Sequence, residues 1–403
     1  MSEWKEYKIS NIGKVVTGKT PRTSISDNYG GTIPFLSPSD DMESKYVPIT
    51  ARCLTEKGLS EVKNCLIPKN SICVSCIGSD MGKSVITDRP IVTNQQINSI
   101  IPSESFDPHF VYYLMQGKRR EIRFIGRNGT AVPILNKNAF SNLTITAPDI
   151  DEQHRISSFL SALDSKIAVN RRICENLEAQ AQALFKHWFI DFAPFKEGKF
   201  VESELGMIPE GWRVGRLDEL GDIVGGATPS KAEDSYYTSK GIAWLTPKDL
   251  SNKLSKFTSR GEIDLTQEGY NSCSAKLMPK GSVLFSSRAP IGYLTIAKND
   301  ICTNQGFKSV VPKYAGTAYI YYLLKTNTKR IESMSSGTTF KEASGSLMKS
   351  LAVIIPPKSI IDNYEASVVE IFKEQEVIED ESTRLTTLRD TLLPKLMSGQ
   401  IKV

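Results

Sequence analysis

Residues 77–84 read IGSDMGKS, and the closing Gly82-Lys83-Ser84 is how a nucleotide-binding P-loop ends. Such a loop wraps phosphate with backbone amides and needs four residues between its first glycine and the Gly-Lys-Ser. Only Ser79, Asp80 and Met81 separate Gly78 from Gly82, so the loop is one residue short. Cys73 and Cys76 form a CxxC, half of a tetrahedral zinc site. They lie in SICVSCIG, which alternates like a strand; there is no second CxxC, and His109, His154 and His187 sit in unrelated contexts. Two strand cysteines and no metal is the expected reading. No Ser-His-Asp set and no dinucleotide-type glycine motif ahead of a helix takes their place, so the residues contain no catalytic constellation.

The remaining candidates are basic and amide side chains suited to nucleic acid. Lys118, Arg119, Arg120, Arg123 and Arg127 crowd one segment with Glu121 as its single acid; Lys325, Lys329 and Arg330, with Glu332, crowd another. Small polar residues follow each: Asn128, Gly129 and Thr130, then Ser335, Ser336, Gly337, Thr338 and Thr339. Cations beside hydroxyl and amide donors suit phosphate contact, which dominates affinity. Base edges need Arg for guanine and Asn or Gln for adenine; Asn94, Gln95, Gln96, Asn304, Gln305 and Arg288 are of those types. Thr20, Arg22, Thr228, Lys231, Lys248, Lys308 and Lys341 complete the candidate set. Two readings stay open: solvated basic helices with Asn and Gln tying down turns, or contact with DNA.

These residues recur because the chain is written twice. IGKVVTGKTP (12–21) matches LGDIVGGATP (220–229), with Gly18, Thr20 and Pro21 facing Gly226, Thr228 and Pro229. In the same order, IPFLSPSD (33–40) answers IAWLTPKD (242–249), VTNQQINSIIP (92–102) answers CTNQGFKSVVP (302–312), VYYLM (111–115) answers IYYLL (320–324), and LTITAP (143–148) answers LAVIIP (351–356). Ordered matches over such a length mean duplication. Gly82 falls opposite Gly292, where Lys83 and Ser84 become Tyr293 and Leu294; the shared feature is a strand and a glycine turn, not a phosphate cradle. Each copy predicts a compact α+β head: short β-rich runs such as SVLFSSRA broken by Gly, Pro, Asn and Asp, and one helix around FVYYLMQGKRREIRF or YIYYLLKTNTKRIESM. The copies differ most in their loops, SISDNYGGT against KAEDSYYTSKG and ESKYVPITARC against NKLSKFTSRGE, which suggests two heads reading different sequences.

Past Pro148 the period changes from two to 3.5. Asp149 and Glu152 have capping-box spacing, and Ile156, Leu160, Leu163, Ile167, Asn170, Cys174, Leu177, Ala181, Leu184 and Trp188 step by four and three. Asn170 is the clearly polar seam position, either a register-fixing buried amide or one imperfect site on a surface helix. A weaker seam follows the second head, Ile371, Ile378, Leu385, Leu388 and Leu392, with Glu374 and Glu381 in its gaps, and Pro394 should kink or end it. The simplest arrangement packs the two helices on each other as an antiparallel coiled coil, with a pseudo-two-fold axis relating two head-and-helix halves. Residues 152–188 would make a rod of about 55 Å, longer than the roughly 34–36 Å of one DNA turn. A spacing ruler and a dimerisation coiled coil are both open; two heads in one chain favour the ruler.

The head–helix–head–helix order, TNQGFKSVVP, IPEGWRVGRLDELGDIVGGATP, LEAQAQALFKHWFIDF and LRDTLLPKLMSGQI together resemble the specificity subunit of type I restriction–modification systems. The first copy departs from this pattern where Gln96 stands for Gly306. The resemblance implies target recognition domains at 1–150 and 209–357, conserved helices at 151–190 and 358–403, and a linker at 191–208. It implies double-stranded DNA read as a bipartite site, with helices that set the spacer and dock two methyltransferase subunits. It also implies two restriction/translocase subunits, with S-adenosylmethionine, ATP and Mg bound by the partners and none by this chain. The alternatives are a coiled-coil interaction scaffold indifferent to DNA and a stand-alone DNA-modifying enzyme.

The bulk properties fit. The 403 residues are 40% hydrophobic and 24% charged, with a net charge of +5 and seven cysteines. That composition predicts a multi-domain, mildly basic, reducing-compartment protein, expected to be cytoplasmic and without a membrane partner.

Overall fold

The computed structural model describes residues 4–126, 134–251, 255–288, 290–336 and 341–403. The chain forms two compact units, residues 1–168 with 383–403, and residues 169–382. Each unit contains one head and a portion of both long helices.

In the first unit, Gly13–Thr17, Ile97–Pro102, Ile72–Ser75 and Ser84–Ile86 make an antiparallel sheet in that spatial order. Ile72–Ser75 is buried throughout, as the apolar run SICVS requires of a central strand. A second sheet orders Arg52–Leu54, Tyr29–Leu36, Ile91–Thr93 and Leu66–Ile67, its middle pair parallel. Lys5–Lys8 pairs with Thr144–Ala147, the alternating LTITAP strand. The head helix, Pro108–Gly126, buries Phe110 to Met115 in one run and Ile122 about two turns on.

The second unit repeats this plan. Gly221–Gly225, Lys308–Pro312, Val283–Ser287 and Ile291–Ala297 lie in the same spatial order, and Phe257–Thr258 adds a parallel fifth strand. Trp244–Leu245 runs parallel to Cys302–Thr303, Arg213–Arg216 pairs with Ala352–Ile355, and the head helix is Thr317–Met334. Residues 191–208, expected to be a linker, carry a short helical turn at Ala193–Phe195 and begin a hairpin, Phe200–Ser203 against Gly206–Pro209. Phe192 and Phe195 pack on Trp212 at ring-centroid distances of 5.5 and 5.1 Å.

Two 40-residue helices, Ile150–Phe189 and Lys358–Met397, follow the heads. Asp149 caps the first: its Oδ1 accepts from the Glu152 amide at 3.0 Å, while the Glu152 side chain turns to Arg155 and leaves the capping box half made. Within the first unit, Ile156 and Leu160 share a core with Leu392, Leu393, Leu396 and Met397, and Arg389 donates to Asp164 at 2.8 Å. Within the second, Ala181, Phe185 and Phe189 pack with Ile361, Tyr364, Val368 and Phe372, and Asn170 donates to Glu381 at 2.7 Å. In each unit the helices therefore run antiparallel.

Ile156, Leu160 and Leu177 are buried and Leu163, Ile167, Leu184, Ile371, Ile378, Leu385 and Leu392 are partly covered. Asn170 is 1% exposed, so the buried-amide alternative holds. Leu388 is a correction: it is 45% exposed. The buried positions of the second helix step through Ile361, Tyr364, Val368, Phe372 and Gln375, and that stride brings Arg389, not Leu388, to the inner face. Pro394 does not end this helix at its own position; the helix continues to Met397. A proline in the last turn removes only one ladder bond, and the Ser398 amide still donates to the Pro394 carbonyl at 3.1 Å. Among the described residues, no helix is long and apolar enough to cross a membrane and no group of His, Cys, Asp and Glu could hold a metal ion.

The two motifs that resembled chemistry resolve into structure. Gly82 and Gly292 both adopt positive φ, 84° and 102°, and a Cβ on either would strike the head helix, at Arg119 or Thr328. Lys83 is ion-paired with Asp80 at 2.7 Å and Glu43 at 3.2 Å. Cys73 and Cys76 enter different hydrophobic clusters. Burial pushes their thiols up, to about 12 and about 11.

Candidate nucleic-acid interface

The TNQ turns are built by the same bonds in both units. In the second, the Asn304 Oδ1 accepts from the Gly306 amide at 2.9 Å. Gly226 approaches so closely that a Cβ would lie 2.0 Å from the Asn304 carbonyl and 2.2 Å from that of Thr303. The next residue, Ala227, donates to the Thr303 carbonyl at 2.9 Å, and the Thr228 hydroxyl is hydrogen-bonded to the Gln305 Oε1. In the first, the Asn94 Oδ1 accepts from the Gln96 amide at 3.1 Å, Lys19 donates to the Thr93 carbonyl at 2.9 Å, and the Thr20 hydroxyl donates to the Gln95 Oε1 at 2.6 Å. Asn94 and Asn304 thus use their carbonyl oxygens to shape the turn. Gln95 and Gln305 stay exposed, each oriented by one threonine.

A second loop stands beside each turn. Asp249 accepts from the Thr246 amide and hydroxyl, both at 2.7 Å, and from the Glu262 amide at 2.9 Å. Asp40 does the same for Ser37, at 2.8 and 2.9 Å, and for Ala51 at 2.8 Å. In the second unit the two loops enclose a cleft of about 560 Å³ whose lining includes Thr228, Lys231, Lys248, Arg288, Asn304 and Gln305. Six candidates scattered over the sequence are thereby gathered at one mouth, with Trp244, Tyr237 and Ile263 as apolar wall. A volume of this size with few convergent polar groups is typical of a ligand site. Acids accompany the cations: Lys248, 83% exposed, lies 3.4 Å from Glu262, and Arg288 and Lys308 lie 3.6 and 3.4 Å from Glu342. Lys341 is exposed next to Glu342. In the first unit Ser39 occupies the repeat position of Lys248, and Ala51, whose amide bonds Asp40 as that of Glu262 bonds Asp249, stands where the second unit has an acid. Arg22 is exposed there, and its backbone amide donates to Glu61 at 3.0 Å; this bond, with the Asn28 amide, holds the Glu61 carboxyl below its ordinary range.

Most of the described cations on the basic helices have partners within the chain. Arg119 grips Glu43 with two bonds, 3.1 and 2.9 Å, and lowers its pKa with help from Lys83. Arg123 donates to the Met81 and Ser79 carbonyls at 3.2 and 2.7 Å, Lys118 pairs with Glu121 at 2.6 Å, and Arg330 donates to the Ala352 carbonyl at 2.9 Å. Arg123 thereby ties the head helix to the glycine turn, and Arg330 ties it to the terminal strand. Arg120 and Lys329 are exposed and make no ion pair among the described residues. Arg127 and Thr338 lie outside the described residues. The loop carboxylates Asp40 and Asp249 were missed by sequence reasoning, although both close the matched IPFLSPSD and IAWLTPKD segments. An acid kept at the same place in two copies of a repeat was the available signal.

Against this geometry, residues 1–179 and 209–386 each match the type I restriction modification DNA specificity domain. The chain belongs to this family. It is 30% identical over 413 residues to the type I restriction enzyme MjaIX specificity subunit of Methanocaldococcus jannaschii, covering 100% of this chain and 94% of that one. It is 26% identical over 470 residues to the HindI specificity subunit of Haemophilus influenzae, covering 100% of each. Its fold is similar to the type I restriction–modification S subunit of M. genitalium, with a TM-score of 0.61 at 16% identity over 98% of this chain and 96% of the other. The family match supports neither a DNA-indifferent scaffold nor a stand-alone enzyme.

Proposed function

We propose that this specificity subunit reads a bipartite site on double-stranded DNA, one half with each TNQ turn and its neighbouring loop, while the long helices set the spacer. The observation that carries this reading is the duplicated turn, which orients Gln95 and Gln305 identically inside loops of different sequence. Glutamine and arginine discriminate bases through paired donors and acceptors, whereas exposed Arg120 and Lys329 suit phosphate. The chain contributes recognition rather than bond-making. Two methyltransferase subunits dock on the helices and two restriction/translocase subunits join them. S-adenosylmethionine, ATP and Mg serve those partners, and the assembly works in the cytoplasm.

Methylome sequencing of cells that carry the chain with its methyltransferase partner tests this. The expected result is one split adenine-methylated motif that disappears when the chain is deleted. Methylation without a split motif, or unaffected by deletion, refutes it.

A further inference from the structure

Two lysines outside the interface are buried in matching places. Lys45 is 12% exposed at its side chain and lies 3.9 Å from Asp164. Its ammonium donates to the Tyr113 hydroxyl at 2.9 Å and to Ser161 at 2.8 Å, and it stands 4.7 Å from the Tyr113 ring centroid. Lys256 is 3% exposed. It donates to the Tyr322 hydroxyl at 2.9 Å and to Glu178 at 2.7 Å, and stands 3.6 Å from the Phe372 ring centroid. Tyr113 and Tyr322 are the same repeat position, the second tyrosine of VYYLM and IYYLL. The backbones agree as well: the Lys45 carbonyl accepts from Ile86 at 2.8 Å, and that of Lys256 from Ile296 at 2.9 Å.

Each lysine comes from a loop whose sequence differs between the copies. Each nevertheless bonds its head helix and a long helix of its own unit through one ammonium. Ser161 and Asp164 are on the first long helix, as is Glu178, and Phe372 is on the second. Burial disfavours both charges, which the nearby Asp164 and Glu178 only partly offset, so both amines sit near a pKa of about 8. Such a costly arrangement is poor stability engineering, because an apolar joint of the same volume holds at least as well. What a charge with fixed acceptors adds is a single geometry. The acids do not depend on the lysines alone: Arg389 donates to Asp164 at 2.8 Å, and Lys325 is bonded to Glu178.

We propose that Lys45 and Lys256 are positioning residues, each fixing the angle at which its head stands on the long helices of its unit and so the tolerance of the complex for half-site spacing. The inference rests on the DNA reading above. The test uses the complex assembled with methyltransferase subunits, wild type and Lys45→Met, Lys256→Met and the double variant. Binding is measured by competition on duplexes carrying the methylome-defined site with its spacer unchanged, or one base pair longer or shorter. The expected result is a loss of about tenfold in spacer discrimination for the double variant, or about 1.4 kcal/mol, with both half-sites and the melting temperature retained. Unchanged spacer discrimination overturns the inference, whether or not the melting temperature falls, and so does a changed half-site. If the Met variants do not assemble, Lys45→Gln and Lys256→Gln, which keep a shorter donor, carry the same readout. A wild-type complex with no bipartite site overturns the DNA reading and this inference together; a wild-type bipartite site whose spacer limits persist in the variants overturns the inference alone.

Discussion

One methyl group at Gly226 tests whether the TNQ turn is a reading element. In Gly226→Ala the new Cβ would lie 2.0 Å from the Asn304 carbonyl oxygen and 2.2 Å from that of Thr303. Carbon-to-oxygen contacts normally settle near 3.3 Å, so the two segments must part by more than about 1 Å. That displacement breaks the 2.9 Å bond from Ala227 to Thr303 and moves Thr228, which orients Gln305. Overpacking of this kind costs about 1–3 kcal/mol, and the lost hydrogen bond about 1 more. The control is Gly225→Ala, whose Cβ would meet nothing nearer than Lys308 at 3.8 Å. Urea denaturation of the purified chain gives the stability change, and methylation of duplexes mutated in either half gives the selectivity. Gly226→Ala should lose one half-site and keep the other, while Gly18→Ala, with its Cβ 2.2 Å from the Asn94 and Thr93 carbonyls, should lose the half that Gly226→Ala keeps. If Gly226→Ala matches Gly225→Ala to within about 0.5 kcal/mol and retains both half-sites, the turn is not what reads the site.

Arg120→Ala with Lys329→Ala should lower the salt slope of DNA binding by about 0.9 per lost phosphate contact. Arg119→Ala, which releases Glu43, should instead lower the melting temperature with little change in slope; the reverse pattern would mean that the ion pair opens on DNA. Asn170 and Glu381 should couple by about 1.5–3 kcal/mol in a double-mutant cycle, since the bond is charge-assisted and its amide is buried, and a coupling near zero would make Asn170 a bystander. The unfolded chain binds more protons than the folded one between the folded pKa of Lys45 and Lys256, about 8, and their ordinary 10.5. Stability therefore rises across that window. The wild type should gain more stability from pH 8 to 10 than the Lys45→Met/Lys256→Met double variant; equal gains would show that neither amine is perturbed.

The duplication, the two long helices, the α+β plan of the heads and the family were legible in the primary structure, because all depend on order and period. Matched letters such as TNQ and YYL recur at nearly constant spacing, and a step of three and four survives any detail of packing. Charge did not by itself reveal which cations have partners within the chain. The run from Lys118 to Arg123 has the composition of a phosphate clamp, yet Arg119 and Arg123 find Glu43 and the Met81 and Ser79 carbonyls. Those partners are remote in the chain and cannot be inferred from a local window. Leu388 missed the buried face for a related reason: several heptad registers fit the second seam, and only the partner helix, through Asp164 and Arg389, chose one.

By itself the sequence determined that there are two heads, two helices and two different sets of loops, since repeats and periodicity are properties of a line of residues. Only the tertiary structure decided which polar groups remain free to meet a ligand. It used Asn94 and Asn304 to hold their turns, left Gln95 and Gln305 exposed, gathered Lys231, Lys248 and Arg288 around one cleft, and buried Lys45 and Lys256 where helix meets head. The physical reason is that a buried donor or charge must be satisfied by whatever the fold brings within about 3 Å, and that neighbour is set by packing rather than by position along the chain.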